Sequence, residues 1–344
     1  MDAHAVSGRL AKPAALAKPT VLVLGGSGFI GRHTVEALQN QRCQVVIGSR
    51  HPLRIDALLP AGALRCPRRT ARFESLTAAD DWEDLLDGVD VVINCVGILR
   101  QRGRENYERV HRLAPAALAE ACRRKNLRLI HVSALGLQPG ARSRFLKSKL
   151  AGEQALRDSG ADWHIVRPSL LDGEGGYGAR WLRLLARSPI HALPADACGK
   201  IAALDVRDLG EALAAIATRP ASSDIEHREN AREYELGGTD LRTLAEYVAS
   251  IRRLRTARPA WVLRVPSLIA RMASHLFDLL HWSPFSFGHW ELLRRDNCPA
   301  IDRLPELLGR APRQVGMNPG ERLRNAGSPA PAGNATTPAA GSQW

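Results

Sequence analysis

Short apolar runs alternate with amphipathic stretches along most of the chain. The runs cover residues 21–24, 45–47, 89–95, 127–132 and 163–166, and the stretch after the first run places Val35 and Leu38 on one face of a helix. Buried strands that alternate with helices are typical of parallel sheets, because the crossover helices cover the faces of the sheet. The pattern therefore predicts an α/β fold, a doubly wound parallel sheet followed by a smaller C-terminal lobe.

A glycine-rich loop follows the first apolar run, and residues Val21 to Gly31 read V-L-V-L-G-G-S-G-F-I-G. Glycine permits a sharp turn and a close approach of the backbone to a pyrophosphate, and the next helix offers unpaired N–H groups to the phosphates. The second apolar run arrives about 20 residues later, as a strand–helix–strand unit requires. The loop predicts a Rossmann-type dinucleotide site. Its predicted contacts are Gly25, Ser27, Gly28, Phe29, Ile30 and Gly31.

The residues after the second strand indicate which dinucleotide binds. An NAD site usually places Asp or Glu there for the ribose 2′-hydroxyl, whereas this chain reads Gly48-Ser49-Arg50-His51, with Arg54 further on. A guanidinium can hold a 2′-phosphate through two donors, and we expect no acidic side chain to be available to repel the extra charge. We therefore predict NADP(H) as the cofactor, bound through Arg50. The other interpretation is that Arg50 is one more solvated arginine.

The composition divides the chain into segments. Residues 1–18 and 326–344 are rich in Ala, Pro, Gly and Ser, lack hydrophobic periodicity and are predicted to be disordered. Residues 19–172 are predicted to form the dinucleotide-binding domain, which residues 200–218 complete. Residues 173–199 and 219–325 are predicted to form a small lobe that binds a substrate or a partner.

Charge and cysteine content restrict the classes of function. The 344 residues carry a net charge of +13 at pH 7, but the basic residues are dispersed and form no nucleic-acid-binding pattern, so we expect no nucleic-acid partner. The six cysteines are far apart and form no C-x-x-C pair, so neither a metal site nor a disulfide framework is predicted. The sequence shows no stretch suited to a transmembrane helix and no secretory signal, which predicts a cytoplasmic protein.

Several longer motifs resemble those of one enzyme family. They are L-G-G-S-G-F-I-G at 24–31, D-G-V-D-V-V-I-N-C-V-G-I-L at 87–99, V-S-A-L-G at 132–136, S-K-L-A-G-E at 148–153, I-V-R-P-S at 165–169, V-R-D-L at 206–209 and L-L-R-R-D-N at 292–297. Over residues 20–325 the chain resembles the short-chain dehydrogenase/reductase superfamily. It is most similar to the atypical, extended branch that includes the NADPH-binding accessory subunit of mitochondrial complex I and bacterial relatives, some of them fused to DoxX-like membrane domains. The resemblance implies that Val96, Gly97 and Pro168 also contact the dinucleotide.

The catalytic pattern of such reductases is incomplete in this chain. They carry a tyrosine that exchanges a proton with the substrate, a lysine four residues later that holds the nicotinamide ribose, and a serine that orients the substrate. Ser133 and Lys149 match the pattern, but Phe145 stands at the tyrosine position. A phenyl ring transfers no proton, so the usual carbonyl chemistry loses a factor of ~10²–10⁴ in rate.

Three functions remain open on this basis. The first is an NADP(H)-dependent reductase of a quinone-like acceptor, whose reduced oxyanion water can protonate without a tyrosine. The second is a non-catalytic NADPH-binding accessory or assembly factor of a respiratory or quinone-biosynthesis membrane complex, as the resemblance implies. The third is an epimerase or dehydratase in which Tyr177 or His131 substitutes as the base.

Residues 259–293 concentrate aromatic and aliphatic side chains among arginines and are predicted to be helical. The apolar residues are Trp261, Leu263, Leu268, Met272, Leu276, Phe277, Trp282, Phe285, Phe287 and Trp290, and the cations are Arg253, Arg255, Arg264 and Arg271. This mixture is typical of an interfacial helix on anionic lipid, and it would place the protein at the inner membrane as a peripheral protein. A buried core helix or the wall of a substrate pocket explains the same spacing.

Overall fold

The computed structural model describes residues 18–52, 60–220, 232–280 and 285–316. Residues 1–17 and the whole of 326–344 lie outside the described residues, as do Arg54 and Trp282. The expectations for these residues stay predictions.

A parallel seven-stranded sheet forms the centre of the molecule. The strands of the described residues, in chain order, are β1 (Thr20–Leu24), β2 (Gln44–Ser49), β3 (Arg68–Thr70), β4 (Val91–Asn94), β5 (Arg128–Val132), β6 (Asp162–Pro168), β7 (Leu171–Asp172), β8 (Ile190–Pro194), β9 (Lys200–Ala202), β10 (Leu204–Asp205), β11 (Glu233–Leu236), β12 (Leu241–Thr243) and β13 (Trp261–Val265). Strands β7 to β10, β12 and β13 form three separate two-stranded sheets. The seven-stranded sheet has the order β11-β6-β5-β4-β1-β2-β3. The predicted α/β class with a doubly wound parallel sheet is therefore confirmed.

Helices cover both faces of this sheet. In chain order the α-helices of the described residues are α1 (Phe29–Asn40), α2 (Ala114–Arg124), α3 (Arg144–Arg157), α4 (Tyr177–Arg187), α5 (Val206–Thr218), α6 (Leu244–Arg253), α7 (Ser267–Leu280), α8 (Phe287–Leu293) and α9 (Leu304–Leu308). One face packs against α1 and α5, where Val35, Leu38 and Leu213 are fully buried. The other face packs against α2 and α3, where Leu118 and Leu156 are fully buried. Fully buried aliphatic side chains of this kind each stabilise the fold by roughly 1.5–3 kcal/mol.

The strand order reverses between β1 and β4. Val23 of β1 pairs with Ile47 of β2 on one side and with Ile93 of β4 on the other. The loops that leave β1 and β4 therefore diverge to opposite faces of the sheet and leave a crevice above the carboxyl ends of the strands. Ligands of doubly wound sheets bind in this crevice.

The small lobe has its own core, but its boundaries differ from those predicted. Leu193, Tyr247 and Val248 belong to the apolar cluster that joins α4, β8 and α6. In contrast, β11 extends the main sheet, and Leu304 of α9 lies in the core cluster formed with α5. The predicted lobe segment 219–325 therefore contributes to both halves of the molecule.

The region 259–293 is not one helix, contrary to the prediction. It begins with β13, which pairs in parallel with β8 and places Trp261 opposite Ile190. Helices α7 and α8 follow. The chain leaves β13 at Pro266, which has no N–H and is well tolerated just before or at the start of a helix. Among the described helices, none combines the length and the apolarity that a bilayer crossing needs.

Candidate functional site

One cavity of about 900 Å³ runs along the carboxyl ends of the strands and continues between the sheet and the small lobe. Many of the residues predicted from sequence lie around it. They are Gly25, Ser27, Gly28, Phe29, Ile30, Arg50, Val96, Gly97, Ser133, Phe145, Lys149 and Pro168. Gly31 is the exception, because it lies beneath the loop and does not line the cavity.

The glycine-rich loop depends on two glycines for different reasons. Gly25 has φ +73°, a left-handed conformation that side chains disfavour, and its N–H donates to Gly48 O at 2.8 Å. A Cβ on Gly31 would lie 2.2 Å from the Gly25 carbonyl oxygen, so only glycine lets α1 approach the turn this closely. The start of α1 thus points its N–H groups at open space in the cavity, which fits the pyrophosphate of a dinucleotide.

The adenosine end of the cavity contains an ion pair that was not expected. Arg50 lines the cavity after β2, and its guanidinium contacts the carboxylate of Glu105, with Glu74 also in the lining. The sequence argument that no acidic side chain stands near Arg50 is therefore wrong. Glu105 lies 55 residues further along the chain, in the loop after β4. The residues around β2 therefore could not predict this contact.

Lys149 lies in the middle of the cavity wall, beside the loop after β4. A Cβ on Gly97 would lie 4.0 Å from Lys149 Nζ, which places the ammonium group next to this loop. Burial lowers the pKa of Lys149 to about 8, and the nearby carboxylate of Glu153 opposes this shift. Lys149 is therefore mostly charged at neutral pH and can donate hydrogen bonds to the hydroxyls of a ribose.

The carboxylate of Glu153 stabilises the charged form of Lys149. This carboxylate is fully buried and accepts from Arg167 Nε at 2.9 Å and from Arg157 at 3.1 Å. Burial alone would raise the pKa of Glu153, but Arg167, Ser133 and Arg157 outweigh burial and lower it. A charged carboxylate thus stays one helical turn from Lys149. Glu153 belongs to the motif S-K-L-A-G-E, but nothing in the spacing of that motif pairs it with arginines.

Phe145 is almost buried among three rings at the edge of the cavity. Ring centroids lie at 5.8 Å for Tyr107, 5.6 Å for His111 and 6.0 Å for His289, and the His289 ring is nearly parallel to the phenyl ring. Tyr107 does not replace the missing tyrosine in this arrangement, because its hydroxyl donates to Leu99 O at 2.9 Å.

His111 connects the cofactor loop to α3. Its Nε2 accepts from the Ile98 N–H at 3.1 Å, and its Nδ1 lies 2.9 Å from Ser148 Oγ. Because Nε2 accepts, Nδ1 carries the hydrogen and donates to Ser148, whose hydroxyl in turn donates to Phe145 O at 2.8 Å. Burial and then Lys149 keep the pKa of His111 well below its usual value, so the neutral ring that this chain requires is favoured. Sequence reasoning missed His111 because no motif marks it.

The two bases considered as substitutes lie in different surroundings. His131 is buried within β5, outside the cavity lining, and its Nδ1 is 3.1 Å from the Asn94 side-chain amide. Burial, with Lys149, lowers the pKa of His131 to about 3. Tyr177 lines the cavity at the start of α4 and is 42% exposed. Of the two, Tyr177 alone can reach a ligand in the cavity.

The opposite end of the cavity is apolar. Its walls come from α4, β8, β13, α7 and the segment before α8. The residues are Trp181, Leu182, Leu185, Ala192, Leu193, Pro194, Val265, Ala270, Ala273, Phe277 and Phe285. Such a wall can accept an extended apolar group, whereas a sugar would leave its hydroxyls without partners there.

Comparison with known proteins agrees with this geometry. Residues 25–188 match the model of an NAD(P)H-binding family. The chain is 29% identical over 314 residues to a ceramide reductase of Caulobacter vibrioides, covering 85% of this chain and 91% of that protein. It is 24% identical over 287 residues to the NADH dehydrogenase [ubiquinone] 1 alpha subcomplex subunit 9 of Arabidopsis thaliana, covering 81% and 68% respectively.

Among solved structures, a nucleoside-diphosphate-sugar epimerase from Staphylococcus aureus has the same fold. Its TM-score is 0.64 at 16% identity, covering 87% of this chain and 98% of that one. The chain therefore carries an NAD(P)H-binding domain over residues 25–188 and is related to the ceramide reductase and to the complex I subunits.

Proposed function

We propose that this protein is an NADP(H)-dependent reductase of a large apolar acceptor, with a quinone-like head or a comparable carbonyl and a long apolar tail. The observation that supports this most directly is the continuity of the cavity. One end carries the glycine-rich loop and Lys149, and the other is walled by apolar side chains of the small lobe. The ceramide reductase of Caulobacter vibrioides supports a lipid-like acceptor, and the plant relative supports a quinone-like one.

The bound dinucleotide would supply a hydride to the acceptor. The chain's own residues would then hold and orient the two ligands. Residues of the glycine-rich loop and the start of α1 bind the pyrophosphate, and Lys149 binds the nicotinamide ribose. Arg50 binds the 2′-phosphate, for which Glu105 must release its guanidinium. Ser133, which is buried at the end of β5, orients the acceptor beside Lys149.

Part of the proposal is that the protein works at the surface of the inner membrane. The inner face of α7 lines the cavity with Ala273 and Phe277, but the outer face is also apolar and exposed. Its exposed side chains are Leu268 (69%), Ile269 (56%), Met272 (65%) and Leu276 (52%), and β13 adds Trp261 (83%) and Leu263 (57%). Arg264 and Arg271 are exposed between them. The burial of these outward-facing residues in a protein core is therefore the wrong interpretation, and an apolar face among arginines fits anionic lipid.

A second candidate function is a non-catalytic NADPH-binding accessory protein of a membrane complex. Phe145 is the observation that favours it, because the proton donor of the superfamily is missing while Lys149, which binding alone would require, is present. Both candidate functions require dinucleotide binding, but only the reductase oxidises the bound NADPH.

Acceptor turnover tests the proposal. The purified protein is assayed for NADPH oxidation against menadione, decylubiquinone and a long-chain ceramide precursor with a ketone, with Lys149→Met as the control. We expect steady NADPH oxidation with at least one of these acceptors and its loss in the control. NADPH binding without oxidation by any acceptor would instead support the accessory function.

A further inference from the structure

Of the three rings packed around Phe145, His289 is the one that lines the cavity. Its imidazole stacks on Phe145 with 6.0 Å between centroids and 21° between planes. In related reductases the tyrosine would project its hydroxyl from the ring that Phe145 provides here. The stacked imidazole therefore brings a nitrogen donor to the neighbourhood of that hydroxyl.

The position of His289 is fixed by the docking of α8 on α3. The Glu291 carboxylate accepts from the N–H groups of Arg142 and Ser143, each at 2.9 Å, just before α3 begins. A Cβ on Gly288 would lie 2.8 Å from Ser143 Oγ and 3.2 Å from Phe145, so glycine at this position lets α8 approach so closely. The helix that carries His289 is thus held against the helix that carries Phe145 and Lys149.

The hydrogen bonds of His289 indicate which nitrogen carries the hydrogen. The backbone N–H of His289 donates to Ser286 Oγ at 3.1 Å, and Nδ1 lies 2.6 Å from the same oxygen. When the Ser286 hydroxyl donates its hydrogen to Nδ1, the hydrogen of the neutral ring lies on Nε2. Burial and then Arg100 lower the pKa of His289 to about 4, against the opposing effect of Asp278. The ring is therefore a neutral hydrogen-bond donor at neutral pH.

We propose that His289 takes the place of the tyrosine and donates a hydrogen bond from Nε2 to the acceptor oxygen. The inference rests on the proposed reductase function and adds the residue that orients the acceptor and stabilises its developing oxyanion. As the acceptor takes up a hydride equivalent, the C=O π bond breaks and its electron pair goes to the oxygen. The hydrogen bond from Nε2 stabilises this oxyanion, which then takes its proton from water. A neutral imidazole has this role in other enzymes that polarise a carbonyl.

Variants at two positions test the inference. His289→Leu removes the donor, His289→Gln keeps an N–H donor, and His275→Gln is the matched control on α7, outside the cavity lining. We expect His289→Leu to lower the rate of decylubiquinone reduction by about 10²-fold, the usual cost of one donor to a developing oxyanion. NADPH affinity should be unchanged, and His289→Gln should keep most of the rate. Adding Phe145→Tyr to His289→Leu should restore activity, because it returns a donor to the same place.

A binding measurement makes the test independent of turnover. Protein with ¹⁵N-labelled histidine is titrated with decylubiquinone without dinucleotide, and the His289 signal is assigned by its loss in His289→Gln. A shift of the His289 Nε2 resonance, with none for His275, supports the inference. An unmoved His289 signal overturns it, as does a wild-type rate in His289→Leu. If the wild-type protein oxidises no NADPH but the His289 signal shifts, the proposed reductase function fails and the contact to the acceptor stands.

Discussion

The two ends of the cavity are built in different ways. At the dinucleotide end, the backbone makes the site, because the left-handed Gly25 and the close packing at Gly31 determine where the N–H groups point. At the acceptor end, side chains from α3, α4, α7 and α8 make the site, and they come from positions far apart in the sequence. The dinucleotide end therefore depends on a backbone geometry that few sequences satisfy. The acceptor end can change its chemistry one side chain at a time, as Phe145 illustrates.

The largest effect is expected at Gly31. In Gly31→Ala, the new Cβ would lie 2.2 Å from Gly25 O, so the glycine-rich loop has to move. Calorimetry should show NADPH affinity weakened by ~10²-fold or more, about 2.7 kcal/mol. Gly140→Ala is the matched control, because a Cβ there meets nothing within 4 Å. Equal NADPH affinity in the two variants would contradict a backbone-built site.

The adenosine end should respond in opposite directions to two substitutions. Arg50→Ala removes a charge-assisted contact to the 2′-phosphate and should weaken NADPH binding by about 1.5–3 kcal/mol while leaving NADH binding almost unchanged. Glu105→Gln should strengthen NADPH binding, because the guanidinium then has no carboxylate partner there. Equal affinity of the wild-type protein for NADH and NADPH would contradict the proposed preference for NADP(H).

Phe145→Tyr probes the acceptor end alone. The wild-type protein should reduce simple ketones, aldehydes and nucleotide sugars at well below ~1 s⁻¹. The variant should raise ketone reduction, by about tenfold, because it returns a proton donor four residues before Lys149. Affinity for NADPH, measured in parallel, should not change. Fast ketone reduction by the wild-type protein would show that Phe145 does not limit the rate of this reaction.

Much of the dinucleotide end could be predicted from sequence, because the glycine spacing and the strand order follow from local rules. The contacts between distant segments could not, because no spacing connects them. They are the stacking of His289 on Phe145 at the acceptor end, and the contacts of His111, Glu105 and Glu153 around the dinucleotide end. The strand β13 was predicted as helix for a similar reason. Its apolar residues match helical spacing, and its pairing with β8 is a tertiary contact.

The pKa of Lys149 predicts a pH dependence of stability. Its pKa is about 8 in the folded chain, below the 10.5 of a free lysine, so between these values the unfolded chain binds more protons. Stability due to this residue therefore rises with pH in that window. Thermal unfolding should show Lys149→Met to be more stable than wild type near pH 7, by on the order of 1–2 kcal/mol, with a gap that narrows towards pH 10. A constant gap would contradict the lowered pKa.

The smallest effect concerns the outer face of the small lobe. In flotation with anionic vesicles at low salt, a fraction of the wild-type protein should rise with the lipid, and added salt should release it. Replacing Trp261 and Met272 with Ser should reduce the floating fraction without changing NADPH affinity. Protein that stays entirely in the soluble fraction would show that this face does not bind lipid.

The most direct test of the central claim is a single turnover that links the two ends of the cavity. The protein is loaded with one equivalent of NADPH, mixed rapidly with decylubiquinone in detergent, and followed by the absorbance of the reduced nicotinamide. We expect the bound NADPH to be oxidised completely in one phase and Lys149→Met to lose this phase. Bound NADPH that keeps its absorbance in the presence of saturating acceptor would contradict this claim.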